Sequence, residues 1–339
     1  MKMRVLGRSG LVVSELALGT MVFGEGPPRG TDPQDAAAII RRYLEAGGNH
    51  LDTADVYAGG RSEEIVGEAI AGRRDEVVLA TKVRFSTGKG PNDAGLSRTH
   101  IVRGVEQSLR RLRTDHVDLL YMHTWDPLTD IGESLRAADD LVGAGKVGAI
   151  GVSNFKAWQL MKSLAVSDRF GWNRFVAAQY QHSLVVRDIE AEFLDLCSTE
   201  GIGMVPWSPL GGGFLSGKYR ADQRPTDAGE GRLATQPADD EEAWDRRDTE
   251  RNWAILAEVE RIAVDLGATH SQVALAWLLA KPVVSSVIIG VRTMAQLDDN
   301  LGAAGLVLPP GEIAALDEVS APPLGYPYRF MSLYGERRP

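Results

Sequence analysis

The stretch HLDTADVYAGG, residues 50 to 60, sets two carboxylates, Asp52 and Asp55, and a phenol, Tyr57, where an apolar run gives way to a loop. Two later runs carry ionisable groups at the same kind of place: Lys82 near the end of VVLATKV and His123 at the end of VDLLYMH. A lysine inside an apolar strand is unfavourable unless a counter-charge meets it, and Asp52 on the adjacent strand can be that partner. Taken singly, each of these residues is ordinary. Asp52 alone reads as a loop cap, Lys82 as a side chain reaching to water, His123 as a hydrogen-bonded core histidine and Tyr57 as a surface phenol. Together they bring a carboxylate, an ammonium, a phenol and an imidazole to one small space, and these are residue types that move protons. Asp55 is left as a loop residue.

The elements that must position them follow a steady rhythm. After MRVLGRSGLVVSEL, which reads as a hairpin around a Gly-Arg-Ser-Gly turn, eight short apolar runs alternate with amphipathic segments. The runs are ELALG, NHLDTA, VVLATKV, VDLLYMH, VGAIGVS, FVAAQYQ, GMVPWSP and SSVIIG. Several are continuously apolar, as suits strands of a parallel sheet buried on both faces. The intervening helices carry their own signals. Asp32 and Pro33 open one, and Ile101, Val105, Leu109 and Leu112 line a face of another. Eight such units in one chain predict a (β/α)8 TIM barrel over residues 1–339 as a single domain, with the hairpin plugging one end. An open doubly wound sheet would bind its cofactor at the first strand-to-helix turn. That turn, LGTMVFGEG, has no glycine fingerprint opening a helix. One segment breaks the rhythm: residues 211 to 248, after the seventh strand, form a long loop rich in Gly, Asp, Arg and Pro. It reads equally as a mobile cover over the site and as a solvated insertion.

Composition narrows the function. The chain has 339 residues, 44% of them hydrophobic, ample for a large core. A net charge of -9 argues against nucleic-acid partners, which require clustered Lys and Arg. No apolar run approaches the roughly 18 residues that span a bilayer, and the opening residues lack a signal peptide's apolar block. The single cysteine, Cys197, excludes an intrachain disulfide and reads as a core residue of a helix. These features predict a cytoplasmic location with no membrane partner. Oligomeric state is not legible.

In this order, ELALGTMVFG, LDTADVYAGGRSEEIVGEAI, ATKV, VDLLYMHTWD, GKVGAIGVSNF, WSPLGGGFLSGKY and QVALAWLLA resemble the aldo-keto reductase superfamily over nearly the whole chain. The resemblance implies an oxidoreductase with a catalytic tetrad, matched by Asp52, Tyr57, Lys82 and His123, a nicotinamide cofactor bound without a Rossmann fold, and no metal. Reducing a carbonyl requires hydride on carbon and a proton on the developing alkoxide. A free phenol, with a pKa near ~10, can give that proton. Lys82 is expected to lower the value, Asp52 to hold Lys82, and His123 to orient the substrate oxygen.

The same resemblance assigns cofactor contacts. Ser153, Asn154 and Gln179 match residues that bind the carboxamide, Trp207 the aromatic that stacks on the nicotinamide, and Thr20 and Met21 neighbours of the ribose. Ser208, Leu210, Gly212, Leu215, Gly217 and Lys218 match the loop along the pyrophosphate, where glycines let backbone N–H groups approach. Gly290, Arg292, Gln296, Asp299 and Asn300 match the adenosine site. Gly290 and Gln296 replace the lysine and arginine of many members and resemble the branch of bacterial general reductases and potassium-channel β-subunits. Arg292 remains as the cation for a 2′-phosphate, which favours NADP(H) over NAD(H). Phe23, Trp125 and Trp207 are expected to line an apolar pocket for a small carbonyl substrate, beside Tyr57 and His123, with the C-terminal tail closing it. The implied activity is NADP(H)-dependent reduction of an aldehyde or ketone. The alternative is an NADP-binding redox-sensing or regulatory subunit that turns over slowly.

Overall fold

The computed structural model describes residues 1–26, 30–221, 223–226 and 231–335. Two strands, β1 (Met3–Val5) and β2 (Val12–Ser14), pair antiparallel as the expected hairpin. Eight more build one parallel sheet: β3 (Leu16–Gly19), β4 (His50–Asp52), β5 (Val78–Val83), β6 (Val117–Met122), β7 (Val147–Ser153), β8 (Phe175–Gln179), β9 (Gly203–Met204) and β10 (Val287–Gly290). Their order is β10-β3-β4-β5-β6-β7-β8-β9. The sheet closes on itself because Met204 N donates to Val283 O (2.9 Å), Ser285 N to Met204 O (2.9 Å) and Ile288 N to Pro206 O (2.9 Å). The result is the predicted (β/α)8 barrel.

Helices follow the strands and cover the outside. The first five are α1 (Pro33–Glu45), α2 (Arg61–Ala69), α3 (Arg98–Leu112), α4 (Ile131–Gly143) and α5 (Ala157–Phe170). After β8 come α6 (Phe193–Glu200), α7 (Trp244–Arg247), α8 (Glu250–Leu266) and α9 (His270–Leu279), and after β10 come α10 (Met294–Leu301), α11 (Pro310–Val319) and α12 (Tyr328–Tyr334). The local signals act as physics requires. The Asp32 carboxylate accepts from Gln34 N at 2.8 Å with Pro33 at the first helical position of α1. Ile101, Val105, Leu109 and Leu112 are buried along α3. Cys197 is buried in α6, which begins only at Phe193, the preceding residues forming a short 3-10 turn. Residues 211–248 contain no strand among those described, only short turns and α7, and 222 and 227–230 lie outside the described residues. No single described helix is long and apolar enough to cross a membrane.

Alternation along the strands sorts the core into two parts. Outward residues such as Leu51, Leu79 and Val83 pack against the helices. Inward residues, among them Ala17, Val78, Ala80, Leu119, Tyr121, Ala177 and Ile288, fill the barrel together with Leu6 and Val13 from the hairpin. The hairpin therefore plugs the end where the strands begin. Arg4 fastens it there, donating to Val284 O (2.9 Å), Leu279 O (2.9 Å) and Glu15 Oε2 (3.0 Å). The opposite end is left for side chains that continue the inward series beyond the plug.

One buried hydroxyl joins these layers. Tyr43 Oη, from α1, donates to Leu16 O at 2.7 Å, accepts from His50 N at 3.1 Å and contacts Ser14 Oγ at 2.7 Å. Tyr43→Phe keeps the packing but takes the phenol oxygen from His50 N and one of two hydroxyl donors from Leu16 O, which keeps Ser14 Oγ (2.8 Å). It is expected to lower the unfolding free energy by about 1–3 kcal/mol in urea titrations, with an unchanged denaturant slope.

Candidate active site

The period of two that fills the barrel also aims the ionisable residues. In β5 the inward positions are Val78, Ala80 and then Lys82; in β6 they are Leu119 and Tyr121, followed by His123. Asp52 ends β4, and Ser153 and Gln179 end β7 and β8 in mutual register. All five side chains thus belong to the layer above the apolar plug, at the carboxyl ends of the strands. The layer has room because its neighbours are small. A Cβ on Gly151 would lie 2.5 Å from the Tyr121 ring.

Lys82 is the hub. Its side chain has 0% exposure, and its ammonium donates to Asp52 Oδ1 (2.5 Å), Thr53 O (2.8 Å) and Tyr57 Oη (3.1 Å). An ammonium has three N–H bonds, and all three are used. The second Asp52 oxygen accepts from Gln179 Nε2 at 2.8 Å. Because Lys82 donates to the Tyr57 oxygen, the phenol's own O–H is free to point elsewhere. The His123 ring lies edge-on to Tyr57 with centroids 6.1 Å apart, and Phe85 packs on its other side at 4.7 Å. Ser153 Oγ donates to Gln179 O (2.8 Å), and Asn154 Nδ2 donates to His123 O (3.0 Å) and Ser153 Oγ (2.9 Å). One hydrogen-bonded assembly therefore spans β4 through β8.

Its electrostatics are governed by burial. Burial works to lower Lys82, but Asp52 and Tyr57 outweigh it, so the lysine stays charged above its usual range. Tyr57 is raised, burial foremost, with the charges of Lys82 and Arg232 pulling the other way. The expectation that Lys82 leaves the phenol with a lowered pKa is thus corrected: desolvation of the phenolate exceeds the ammonium's attraction. His123 lies well below its usual value because of burial, then the charges of Lys82 and Arg84. At neutral pH the site holds a protonated phenol and a neutral imidazole.

Strained backbone marks the same rim. Ala58, Asn154 and Ser208, none of them glycine, hold φ of 48°, 53° and 52°. Below Ser208, Gly211, Gly212, Gly213 and Gly217 also have positive φ. Backbone N–H groups of this loop bond within it: Gly212 N donates to Ser208 Oγ (3.1 Å), Leu215 N to Leu210 O (3.0 Å) and Gly217 N to Phe214 O (3.3 Å). Cations supply the positive character here instead. Arg232 pairs with the buried Glu242 at 2.7 Å, and Glu242 also accepts from Ser208 Oγ. The Lys218 ammonium is lowered by burial and by the nearby Arg292 charge. An anion bound within reach of both charges would relieve that repulsion.

The sequence profile of the aldo/keto reductase family matches residues 15–321. This chain belongs to the aldo/keto reductase family. It is 38% identical over 312 residues to a probable voltage-gated potassium channel subunit beta of Oryza sativa subsp. japonica, covering 91% of this chain and 92% of that protein. It is 38% identical over 337 residues to the oxidoreductase YrpG of Bacillus subtilis (strain 168), covering 96% and 98%. With norsolorinic acid reductase stcV of Emericella nidulans it shares 34% over 334 residues, covering 95% and 82%. The thermostable aldo-keto reductase Tm1743, solved with the inhibitor epalrestat, superposes with a TM-score of 0.75 at 29% identity over 94% of this chain and 100% of that one. The family and its reductase members make the protein an oxidoreductase of carbonyl chemistry.

In this aldo/keto reductase the remaining site residues fall into distinct surroundings. Thr20 is buried, donating to Asp52 O (3.1 Å) and contacting Ser62 Oγ (2.8 Å), while Met21, Trp207 and Leu210 are half-buried. Phe23 has no exposed surface and packs into the outer core, so it presents nothing to a substrate. Trp125 is half-buried against Phe155 (5.1 Å) and Trp158 (5.9 Å). Gly290 is exposed, and Gln296 Oε1 accepts from Arg292 N at 2.8 Å. Asn300 is buried, and the Asp299 carboxylate is engaged by Thr269 Oγ1 (2.8 Å) and Gln272 Nε2 (3.1 Å), which ties α10 to α9. The tail helix α12 is exposed, and Tyr328 bonds to Glu192. Sequence reasoning missed Arg84, Phe85 and Arg232. The first two lie directly after the end of β5, two and three residues past Lys82, a position that could have flagged them; Arg232 sits in the aperiodic segment with no such signal.

Asp55 lies in the turn after β4, as expected, but it is buried. Only three residues past Asp52, this side chain lies outside the barrel near Gly104 of α3, 2% exposed, and neither carboxylate oxygen has a hydrogen-bond partner. Burial, with the charge of Glu63, pushes it from 3.8 up to about 7, against Arg111. A carboxyl raised on folding contributes stability that is full below the unfolded value and lost as pH rises through the folded one. Asp55→Asn should therefore stabilise the protein more at pH 8 than at pH 5, by about 2–3 kcal/mol in urea unfolding. A gain independent of pH would mean that Asp55 is not held protonated.

Proposed function

We propose that this protein is an NADP(H)-dependent reductase that converts an aldehyde or ketone to an alcohol, with Tyr57 as proton donor. The observation that carries the reading is the exhaustion of the Lys82 donors on Asp52, Thr53 and Tyr57. Bound nicotinamide dinucleotide supplies the hydride that adds to the carbonyl carbon. The protein's own groups do the rest. The Tyr57 O–H gives its proton to the developing alkoxide, and the adjacent Lys82 charge stabilises the phenolate that remains. Neutral His123 offers an N–H to the substrate oxygen and fixes its approach. Its Nδ1 is buried without a partner. The tautomer with the proton on Nε2 leaves only a lone pair unmatched there, the less unfavourable choice.

Ser153, Asn154 and Gln179 would hold the carboxamide, Trp207 the ring face, and Lys218 and Arg232 the pyrophosphate. Arg292, just past the end of β10 and with a charge felt at Lys218, supports a dianionic 2′-phosphate on that side. Relatives named as channel β-subunits, from rice and from Arabidopsis thaliana at 37% identity, favour a second reading: an NADP-binding regulatory subunit of slow turnover. A carbonyl screen followed by NADPH absorbance separates the two by rate.

Tyr57→Phe leaves the Asp52–Lys82 pair intact and removes the acidic proton. Turnover on the best aldehyde should fall by about 10²–10⁴-fold with NADPH affinity retained. Wild-type turnover in this variant would remove Tyr57 from the mechanism. Arg292→Ala is expected to weaken NADPH binding about 10- to 100-fold more than NADH binding, as the loss of a charge-assisted hydrogen bond requires. Equal losses for the two cofactors, read by fluorescence titration, would show that Arg292 does not read the phosphate.

A further inference from the structure

The cation that no part of the mechanism uses is Arg84. It lies two residues past the inward Lys82, just beyond the carboxyl end of β5, with φ 156°. Its guanidinium lies 5.5 Å from the centroid of the Phe85 ring, and that ring packs edge-on against His123 at 4.7 Å. Its charge is felt at His123 and at Asp126. Yet among the described residues Arg84 forms no ion pair and donates no hydrogen bond, and its Nε is buried without a partner. Asp126 cannot serve it, being already engaged by Leu96 N (2.7 Å), Leu128 N (3.0 Å) and Thr129 Oγ1 (2.6 Å). A half-buried guanidinium with a buried, unmatched donor is unfavourable by itself, and a carboxylate is the partner its planar fork fits.

Exposed apolar side chains stand on the segments that follow β5, β6 and β7. Phe85 is 36% exposed, Trp158 is 57% exposed and Leu128 is 95% exposed, with Trp125 between Phe155 and Trp158. The separations through Phe85 are short enough for one aromatic carbonyl compound to reach both the imidazole and the guanidinium. Resting on the reductase reading above, we propose that Arg84 selects the substrate: the preferred aldehydes or ketones carry a carboxylate on an aromatic or apolar body, and the carboxylate is bound by this guanidinium.

The probe is 4-carboxybenzaldehyde against its neutral methyl ester, methyl 4-formylbenzoate. Steady-state kcat/KM is measured with NADPH for wild type, Arg84→Met and Arg84→Lys. The acid-to-ester ratio in Arg84→Met should be about 10- to 100-fold below that of wild type, a comparison that cancels the two aldehydes' intrinsic reactivities. Arg84→Lys should retain part of the selectivity, because it keeps the charge and loses the fork. An unchanged ratio in Arg84→Met, with both aldehydes reduced, would overturn the proposal and leave the reductase reading standing. Calorimetric binding of 4-(hydroxymethyl)benzoate, with and without NADP+, provides a readout independent of turnover. Arg84-dependent binding without reduction of either aldehyde would support the anion site and sink the reductase reading. Neither binding nor an Arg84-dependent ratio would reject the site.

Discussion

A lysine ammonium buried at the centre of a barrel is the constraint around which this molecule is arranged. Desolvating such a charge is worth several kcal/mol against the fold, and removing its partner alone costs about 3–5 kcal/mol. Lys82 is therefore surrounded by acceptors from three directions: the carboxylate of Asp52, the carbonyl of Thr53 and the phenol of Tyr57. Those acceptors come from β4 and the loop that follows it, so the local path of residues 52 to 57 is fixed by one charge. Gln179, reaching Asp52 from across the barrel, extends the same network to β8. Sheet closure between β9 and β10 and the apolar plug below are what keep water from replacing these partners.

The two carboxylates of HLDTADVYAGG illustrate how position decides chemistry. Asp52 points inward and meets an ammonium. Asp55 points outward, where Glu63 has already taken Arg111 at 2.6 Å and Thr81 at 2.6 Å, and is left with neither oxygen bonded. Both are buried; only Asp52 has a cation bonded to it. At Tyr57 desolvation prevails over the Lys82 charge, and at His123 it acts together with the charges of Lys82 and Arg84, keeping the phenol protonated and the imidazole neutral, the forms in which both can donate to an oxygen that is gaining charge.

Around the mouth the charge balance differs from that of the whole chain. The protein carries a net charge of -9, yet Arg84, Lys218, Arg232 and Arg292 gather at the carboxyl-terminal end of the barrel. A cationic rim on an acidic molecule concentrates anions at one place and repels them elsewhere. Glu242, held by Ser208 and Arg232, fills part of that rim from within the chain itself.

The barrel was legible in the sequence because strand and helix alternate with clean periods, and each period reports a local property: which side of a strand or helix faces oil. The same alternation made Asp52, Lys82 and His123 readable as one cluster, since residues at strand ends share a layer once the sheet is parallel and closed. Motif order carried the family. Other features depend on distances between segments far apart in the chain, and no local pattern encodes those. Phe23 reads as a pocket aromatic in a strand-end loop but is claimed by the outer core. Asp299 reads as an adenosine ligand, and its carboxylate is held by the Thr269 and Gln272 side chains at the start of a neighbouring helix. The direction in which Tyr57 shifts, the solitary burial of Asp55 and the lack of an acid for Arg84 were decided only by packing. Each is a balance of desolvation against a partner's presence, and the partner is brought or withheld by the tertiary fold.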